Sequence, residues 1–377
     1  MTDPTITPYR IDVPRSALDD LHARLAQTRW PDEVDGAAWD YGIPSSRMRE
    51  LADRWRHGFD WRAREAAINA HPQFVTEIDG TTVHFLHVRS PEPDAAPLIL
   101  THGWPGTFVE FLDVIGPLTD PRAHGADPAD AFHVVIPSIP GFGPAGPTRE
   151  RGWDCARVAR AFAELMRRLG YERYGTQGGD WGSGVSRLLA VEAPDAVIGV
   201  HVNYLPHGPV PHDGLTDEDI SRVERIREFL AGPPGYMRMS ATRPQTIAYS
   251  LTDSPVGQLA WIADKTREWT DPAHPLPDDT LLTIVSMHWL FGTAGSSARL
   301  TFESGGPRAG SPTGTAPLGM AVFAHDIVRP VRSVSEKANP TLVHWSEFDE
   351  GGHFAALEVP DLLVGDVRTF FRSIRTG

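Results

Sequence analysis

The sequence predicts an α/β fold: a mostly parallel sheet with helices on both faces, interrupted by a helical insertion and preceded by a helical segment. Two observations carry this. Short apolar runs such as "PLILTHG", "AFHVVIPS" and "AVIGVHVNYL" alternate with stretches of helical period, including "DCARVARAFAELMRRLG" and "SGVSRLLAVEA". Strands joined through helices run parallel and are covered on both faces. The alternation then lapses between about residues 205 and 316, where the chain reads as helices and loops, and resumes at "LGMAVFA" and "NPTLVHWSEF". The chain therefore divides into residues 1–72, a helical meander packing on the rest; 73–204, the first part of the sheet core; 205–316, a helical cap; and 317–377, the second part of the core.

Each element has its own signal. Residues 1–72 read as helical. Ser16 serves as an N-cap for "ALDDLHARLAQT", "SSRMRELADRWRHGF" follows, and Asp60 caps "WRAREAAINA". Tryptophans 30, 39, 55 and 61 crowd this segment, so its helices are expected to lie on another surface. "QFVTEI", the Asp79-Gly80 turn and "TTVHFLHV" form a β-hairpin. A helix follows "PLILTHG" from about Thr107, and "YERYGTQG" leads into the helix "SGVSRLLAVEA". The insertion contains "DEDISRVERIREFLA", "VGQLAWIADKTREW" and "DTLLTIVSMHWLFG"; "DLLVGDVRTFFRSI" is the last helix. Pro-Gly-rich stretches, "PSIPGFGPAGPT" and "SGGPRAGSPTGTAP", punctuate elements as loops.

With 377 residues, 41% of them hydrophobic, the chain can bury a sizeable core. Its net charge of −14, without a basic block, repels a phosphate backbone, which argues against nucleic-acid binding. The single cysteine, Cys155, forbids an intrachain disulfide and suits a reducing, cytoplasmic setting. No signal peptide and no apolar run of membrane-spanning length is present. A homodimer is left open.

The chemistry concentrates in "QGGDWGS", Gln177–Ser183. Gly178, Asp180 and Gly182 meet the small-x-nucleophile-x-small frame of a strained strand-to-helix turn, with Asp where most hydrolases place Ser. Ser183 fails that frame, because Trp181 and Val185 flank it, and reads as a helix-starting residue. Asp326 follows the strand "MAVFA", and His353 follows the last strand in "EGGHFAALE". The order nucleophile, acid, base is that of the α/β-hydrolase fold. All three positions lie past strand carboxyl ends, where ligands bind in such sheets. Asp349 and Glu350 rival Asp326 but read as a solvated acidic run. "THGWPGT" stands where this fold supplies an oxyanion donor, so the N–H groups of Trp104 and Trp181 are expected to converge on one oxygen. His201, His207 and His212 near Asp213 invite a metal reading, but no HExxH or Cys/His spacing supports it. No metal and no cofactor is expected.

An Asp nucleophile selects its electrophile. Serine attacking saturated carbon would leave an ether that activated water cannot cleave. Aspartate leaves an ester, which water hydrolyses at its carbonyl. The electrophile is therefore an epoxide or an alkyl halide. An opening epoxide needs a proton donor, and Tyr236 in the insertion is a candidate, tyrosine having a pKa near 10. A halide would instead be cradled by indoles such as those of Trp104 and Trp181, which leaves a haloalkane or haloacid dehalogenase as the alternative.

The stretches "TRWPDE", "HGWPG", "GGDWGS", "GYMRMSATRPQT", "DSPVGQLAWI" and "GGHFAALE" span nearly the whole chain. Together they make it similar to the microsomal-type epoxide hydrolases. The resemblance implies an α/β-hydrolase core with a helical cap and an N-terminal meander, a small-molecule epoxide and water as reactants, Asp180 as nucleophile, His353 as base and Asp326 as its orienting acid. It implies Tyr236 as a ring-opening tyrosine. The membrane anchor of some animal members has no counterpart, so a soluble protein is expected. One departure stands out. Aligned on Arg299 and Glu303, the second ring-opening tyrosine of the family falls on Thr301 of "SSARLTFE". A weak aliphatic acid there implies a preference for activated epoxides or a specialised bacterial metabolite.

Overall fold

A computed structural model describes residues 5–208, 210–232, 234–305 and 314–375. The core of the "SGGPRAGSPTGTAP" loop lies outside these described residues. The N-terminal segment contains β1 (Thr7–Tyr9), α1 (Arg15–Ala26), α2 (Ser45–Asp53) and α3 (Trp61–Ile68). Alongside its helices it carries one short strand. "TPY" pairs antiparallel with the next strand as an edge strand, where Pro8 is tolerated because its missing donor faces outward. Ser16 does not cap α1. The helix begins one residue earlier, after the extended Pro14, and has no side-chain cap bond. Asp60 does cap α3, accepting from the Ala63 N–H at 3.1 Å.

The hairpin joins β2 (Gln73–Ile78) to β3 (Thr81–Val88). Asp79 and Gly80 have φ of 51° and 73°, the left-handed pair that a two-residue hairpin turn requires. Then follow β4 (Ala96–Thr101), α4 (Leu112–Thr119), β5 (Phe132–Pro137), α5 (Cys155–Arg168), β6 (Tyr174–Gly178), α6 (Asp180–Glu192) and β7 (Val197–Val202). The helix expected from Thr107 opens as a 3₁₀ turn over Phe108–Phe111 before α4 takes over.

Among the described residues, six helices separate β7 from the next strand: α7 (Asp217–Ala231), α8 (Gly235–Thr242), α9 (Pro244–Asp253), α10 (Pro255–Trp269), α11 (Asp278–Leu290) and α12 (Ala294–Glu303). The chain closes with β8 (Leu318–Phe323), α13 (Arg332–Ala338), β9 (Leu342–Phe348), α14 (Ala355–Glu358) and α15 (Pro360–Arg375). The sheet order is β1-β2-β3-β5-β4-β6-β7-β8-β9. The first three pairings are antiparallel and the rest parallel. The carboxyl ends of β4, β6, β7, β8 and β9 therefore open on one rim. Glycines set the spacing beneath it: a Cβ on Gly175 would strike the ring of Phe371, and one on Gly319 the ring of Phe370, so α15 lies tight against the sheet.

The inserted helices do not act as one body of contacts. Val223 of α7 packs with Val331 and Val334 near α13, and Arg222 reaches Glu347 of β9 at 3.0 Å. Helix α12 instead packs on α8 and α9, and α10 on α11. The N-terminal helices close over α10 and α11: Trp55 is 1% exposed and its indole N–H donates to Ser286 Oγ at 2.9 Å.

Candidate active site

Asp180 begins α6 two residues past the end of β6, with only Gly179 between, and its φ is +47°. A non-glycine residue in this left-handed region carries strain of roughly 1–3 kcal/mol, so its surroundings must hold it. They do so by close approach. A Cβ on Gly178 would fall on the backbone of Gly182, and a Cβ on Gly182 would fall on the Thr101 carbonyl. A Cβ on Gly103 would fall on the Asp180 side chain itself. The small residues flanking Asp180 are thus a steric requirement of packing β4 against the turn. The Ser183 hydroxyl donates to the Asp180 carbonyl at 2.8 Å, inside the first turn of α6, as a helix-starting residue would.

The two oxygens of Asp180 face different groups. Trp104 N–H donates to Oδ1 at 2.8 Å. Oδ2 lies 3.5 Å from His353 Nε2. The Trp181 N–H is among the first four amides of α6, which have no acceptor inside the helix, and the positive end of the helix dipole favours the carboxylate. The loop that presents Trp104 is pinned from below and above. His102 Nε2 accepts from the Ile139 N–H at 3.1 Å, so its Nδ1 carries the proton and donates to the Gly103 carbonyl at 3.0 Å. Burial holds His102 near pKa 4, so it stays neutral. From α11, His288 Nε2 reaches the Pro105 carbonyl at 2.9 Å.

His353 Nδ1 meets Asp326 Oδ1 at 2.8 Å, which turns Nε2 toward Asp180. Asp326 and His353 are 7% and 6% exposed. Burial opposes charging the imidazole, but Asp326 and Asp180 together override it and lift His353 to about 10. The loop carrying His353 is clamped by three bonds. Its own N–H donates to the Trp269 carbonyl at 2.9 Å, Gly351 N–H to Asp271 Oδ2 at 2.8 Å, and Phe354 N–H to Glu358 Oε1 at 2.8 Å. Glu350 is turned away to a hydrogen bond with His274 Nε2 at 2.8 Å. Asp326 is the carboxylate on the imidazole.

Aromatic rings wall the space around the pair. Tyr236 of α8 stacks on Trp104 with centroids 5.3 Å apart and lies 5.5 Å from Trp269, whose ring meets His353 edge-on at 5.0 Å. Burial, then the Asp180 charge, pushes the Tyr236 phenol well above its ordinary 10. Tyr204, just past β7, presents its ring edge-on to His353 at 5.8 Å. Thr301 is buried in α12, the helix packed on α8, and no hydrogen bond joins it to Asp180, Tyr236 or His353 among the described residues. The three histidines near Asp213 are not gathered into one cluster. His201 pairs with Asp366 at 2.9 Å, His212 with Glu224 at 2.7 Å, and His207 bonds the Gly208 carbonyl at 2.9 Å.

Three neighbours escaped the sequence reading: Trp269, Tyr204 and Glu110. Trp269 ends a cap helix, and a lone helical tryptophan carries no mark that it faces the base. Glu110 sits four residues past "HGWPG" in a stretch of helical character, where an acidic residue reads as solvated.

The chain matches the family model described as the epoxide hydrolase N terminus over residues 6–111 and that of the alpha/beta hydrolase fold over 96–216. It is 43% identical to a Stigmatella aurantiaca protein assigned to the epoxide hydrolases, over 98% of this chain and 86% of that one. It is 33% identical to epoxide hydrolase 1 of Sus scrofa, over 98% and 89%. Among solved structures, the epoxide hydrolase of Aspergillus niger superposes with a TM-score of 0.87 at 32% identity, covering 98% of this chain and 97% of that chain.

Proposed function

Because the chain belongs to the epoxide hydrolase family, converting an epoxide and water to a vicinal diol, we propose that Asp180, His353, Asp326 and Tyr236 carry that reaction. The observation behind this reading is the unequal treatment of the two Asp180 oxygens. Oδ2 is the nucleophile. It attacks one epoxide carbon in line with the breaking C–O bond, and the Tyr236 hydroxyl protonates the departing oxygen. Its ring is fixed between Trp104 and Trp269, which supports a donor aimed at one place.

Esterification removes the Asp180 charge. One of the two influences that raise His353 is then lost, and the imidazole becomes a base able to take a proton from water. Water attacks Cγ. The growing charge on Oδ1 is met by Trp104 N–H, already in place, and by Trp181 N–H at the helix start. Helices α8–α12 act as the cap that brings Tyr236 to the sheet rim. Thr301 stands where the family's second tyrosine is expected, so Tyr236 opens the ring with at most a weak partner. The dehalogenase reading is not favoured, since the relatives are epoxide hydrolases. No helix of the described residues is long and apolar enough to cross a membrane; a cytoplasmic setting rests on the single buried thiol, Cys155.

A single turnover in ¹⁸O-water with enzyme in excess tests the ester. Label is expected in the Asp180 peptide and not in the diol. Label in the diol on that first turnover would mean direct attack of water on the epoxide.

A further inference from the structure

Beneath the Asp180–His353 pair lies a cavity of about 20 Å³, bounded by Gly103, Glu110, Gly179, Asp180, Asn203 and His353. One water needs roughly 10–15 Å³, so the space holds a single molecule. His353 Nε2, on its wall, is fully buried and makes no hydrogen bond to the described residues. Across from it stands the carboxyl of Glu110, in the turn that follows the Trp104 loop. That carboxyl is seated by a glycine: a Cβ on Gly106 would fall on Glu110 Oε2. No cation pairs with Glu110 among the described residues, and withdrawal from water, opposed by His353 and by a backbone hydrogen bond from Gly103 and reinforced by Asp180, pushes it up to about 8. An acidic group held this way costs stability, and packing alone does not require it.

We propose that Glu110 is a further catalytic residue, holding the hydrolytic water in this cavity together with His353. The inference rests on the Asp180 ester proposed above. One water hydrogen points to His353 Nε2 and the other to a Glu110 oxygen, which aims the oxygen lone pair at Cγ of Asp180. In the step, the water oxygen bonds to Cγ, its first proton passes to Nε2 and the carbonyl electron pair moves to Oδ1. The second proton stays on oxygen, against Glu110. Collapse breaks the bond from Cγ to the ester oxygen. The diol leaves with that oxygen and takes the proton back from Nε2; Asp180 keeps the oxygen from water and loses the second proton, and the Tyr236 phenolate left by ring opening regains one through solvent, which restores both groups. Ring opening needs none of this, so Glu110 acts on the second half-reaction.

The test separates the half-reactions. Wild type, Glu110→Gln and Glu110→Asp are mixed with styrene oxide in excess, with tryptophan fluorescence reporting alkylation beside Trp104, Trp181 and Trp269. Rapid quench and intact-protein mass spectrometry report the ester. Alkylation within about threefold of wild type, ester decay slowed by about 10–100-fold in Glu110→Gln, and partial recovery in Glu110→Asp are expected, the size set by a misplaced reacting atom. Unchanged melting temperatures would exclude a folding defect. Ester decay at the wild-type rate in both variants, or equal slowing of both steps, would overturn the inference. A wild type that forms no ester would instead remove the Asp180 reading itself.

Discussion

His353 sits between two carboxylates, and in the proposed reaction the charge state of one of them changes. Its pKa of about 10 belongs to the resting enzyme, with Asp180 and Asp326 both ionised. Folding lifts this histidine above the roughly 6.5 of an unfolded chain. Its contribution to stability is therefore fully present below about pH 6.5 and is lost as pH rises through about 10. Asp180→Asn mimics the charge of the ester. In that variant the His353 titration, followed by NMR, is expected to move down from about 10 toward neutrality; an unmoved titration would mean that Asp180 does not set it. A second residue-scale expectation concerns the acid. Tyr236→Phe should slow ring opening by roughly 10²–10⁴. Thr301→Tyr should raise turnover of unactivated aliphatic epoxides more than of benzylic ones, read as the ratio of kcat/KM values. Asp180 was legible because its frame is local, five residues bounded by Gly178 and Gly182. Glu110 was not, because what distinguishes it is the cavity that distant strands and loops close around it.

At the scale of elements, the turn between β6 and α6 shows why sequence spacing carried so much. Gly182 faces the Thr101 carbonyl with no room for a methyl group, so the frame around Asp180 records contact with a neighbouring strand. Gly182→Ala is expected to destabilise the fold by about 1–3 kcal/mol, the range for overpacking, and to lower the urea midpoint. It should also displace Asp180 and reduce ring opening; a variant with wild-type stability would mean that the turn relaxes at no cost. The hairpin and the alternating strands and helices were readable because each rests on a local period or turn. β1 was not, since three residues in an extended run show no period and become a strand only when β2 offers its edge. The loop bearing His353 was legible only as a position. Its shape depends on Trp269, Asp271 and Glu358, three residues from two other elements.

Across the whole molecule, the N-terminal segment is a structural partner of the inserted helices. Trp55 is bonded to Ser286, Arg54 and Arg64 meet Asp279 at 2.8 and 2.9 Å, and Arg47 pairs with Asp278. Such ion pairs contribute little singly, so the burial of Trp55 dominates. Trp55→Ala is expected to cost about 3–5 kcal/mol, measured by urea unfolding. The same variant should weaken the seat of α11, from which His288 holds the Pro105 carbonyl, and so reach the Trp104 loop. By itself the sequence determined the α/β alternation, the place of the insertion, the aspartate at the turn and, through its chemistry, a saturated electrophile. Each follows from periodicity or from a few adjacent residues, which interact whatever the rest of the chain does. Only the tertiary structure decided which carboxylate meets His353, which aromatic rings enclose Tyr236, and that a single-water cavity lined by Glu110 lies under Asp180. Those depend on burial and on contacts between residues far apart in the sequence, and such contacts exist only once the sheet has brought its strand ends to one rim.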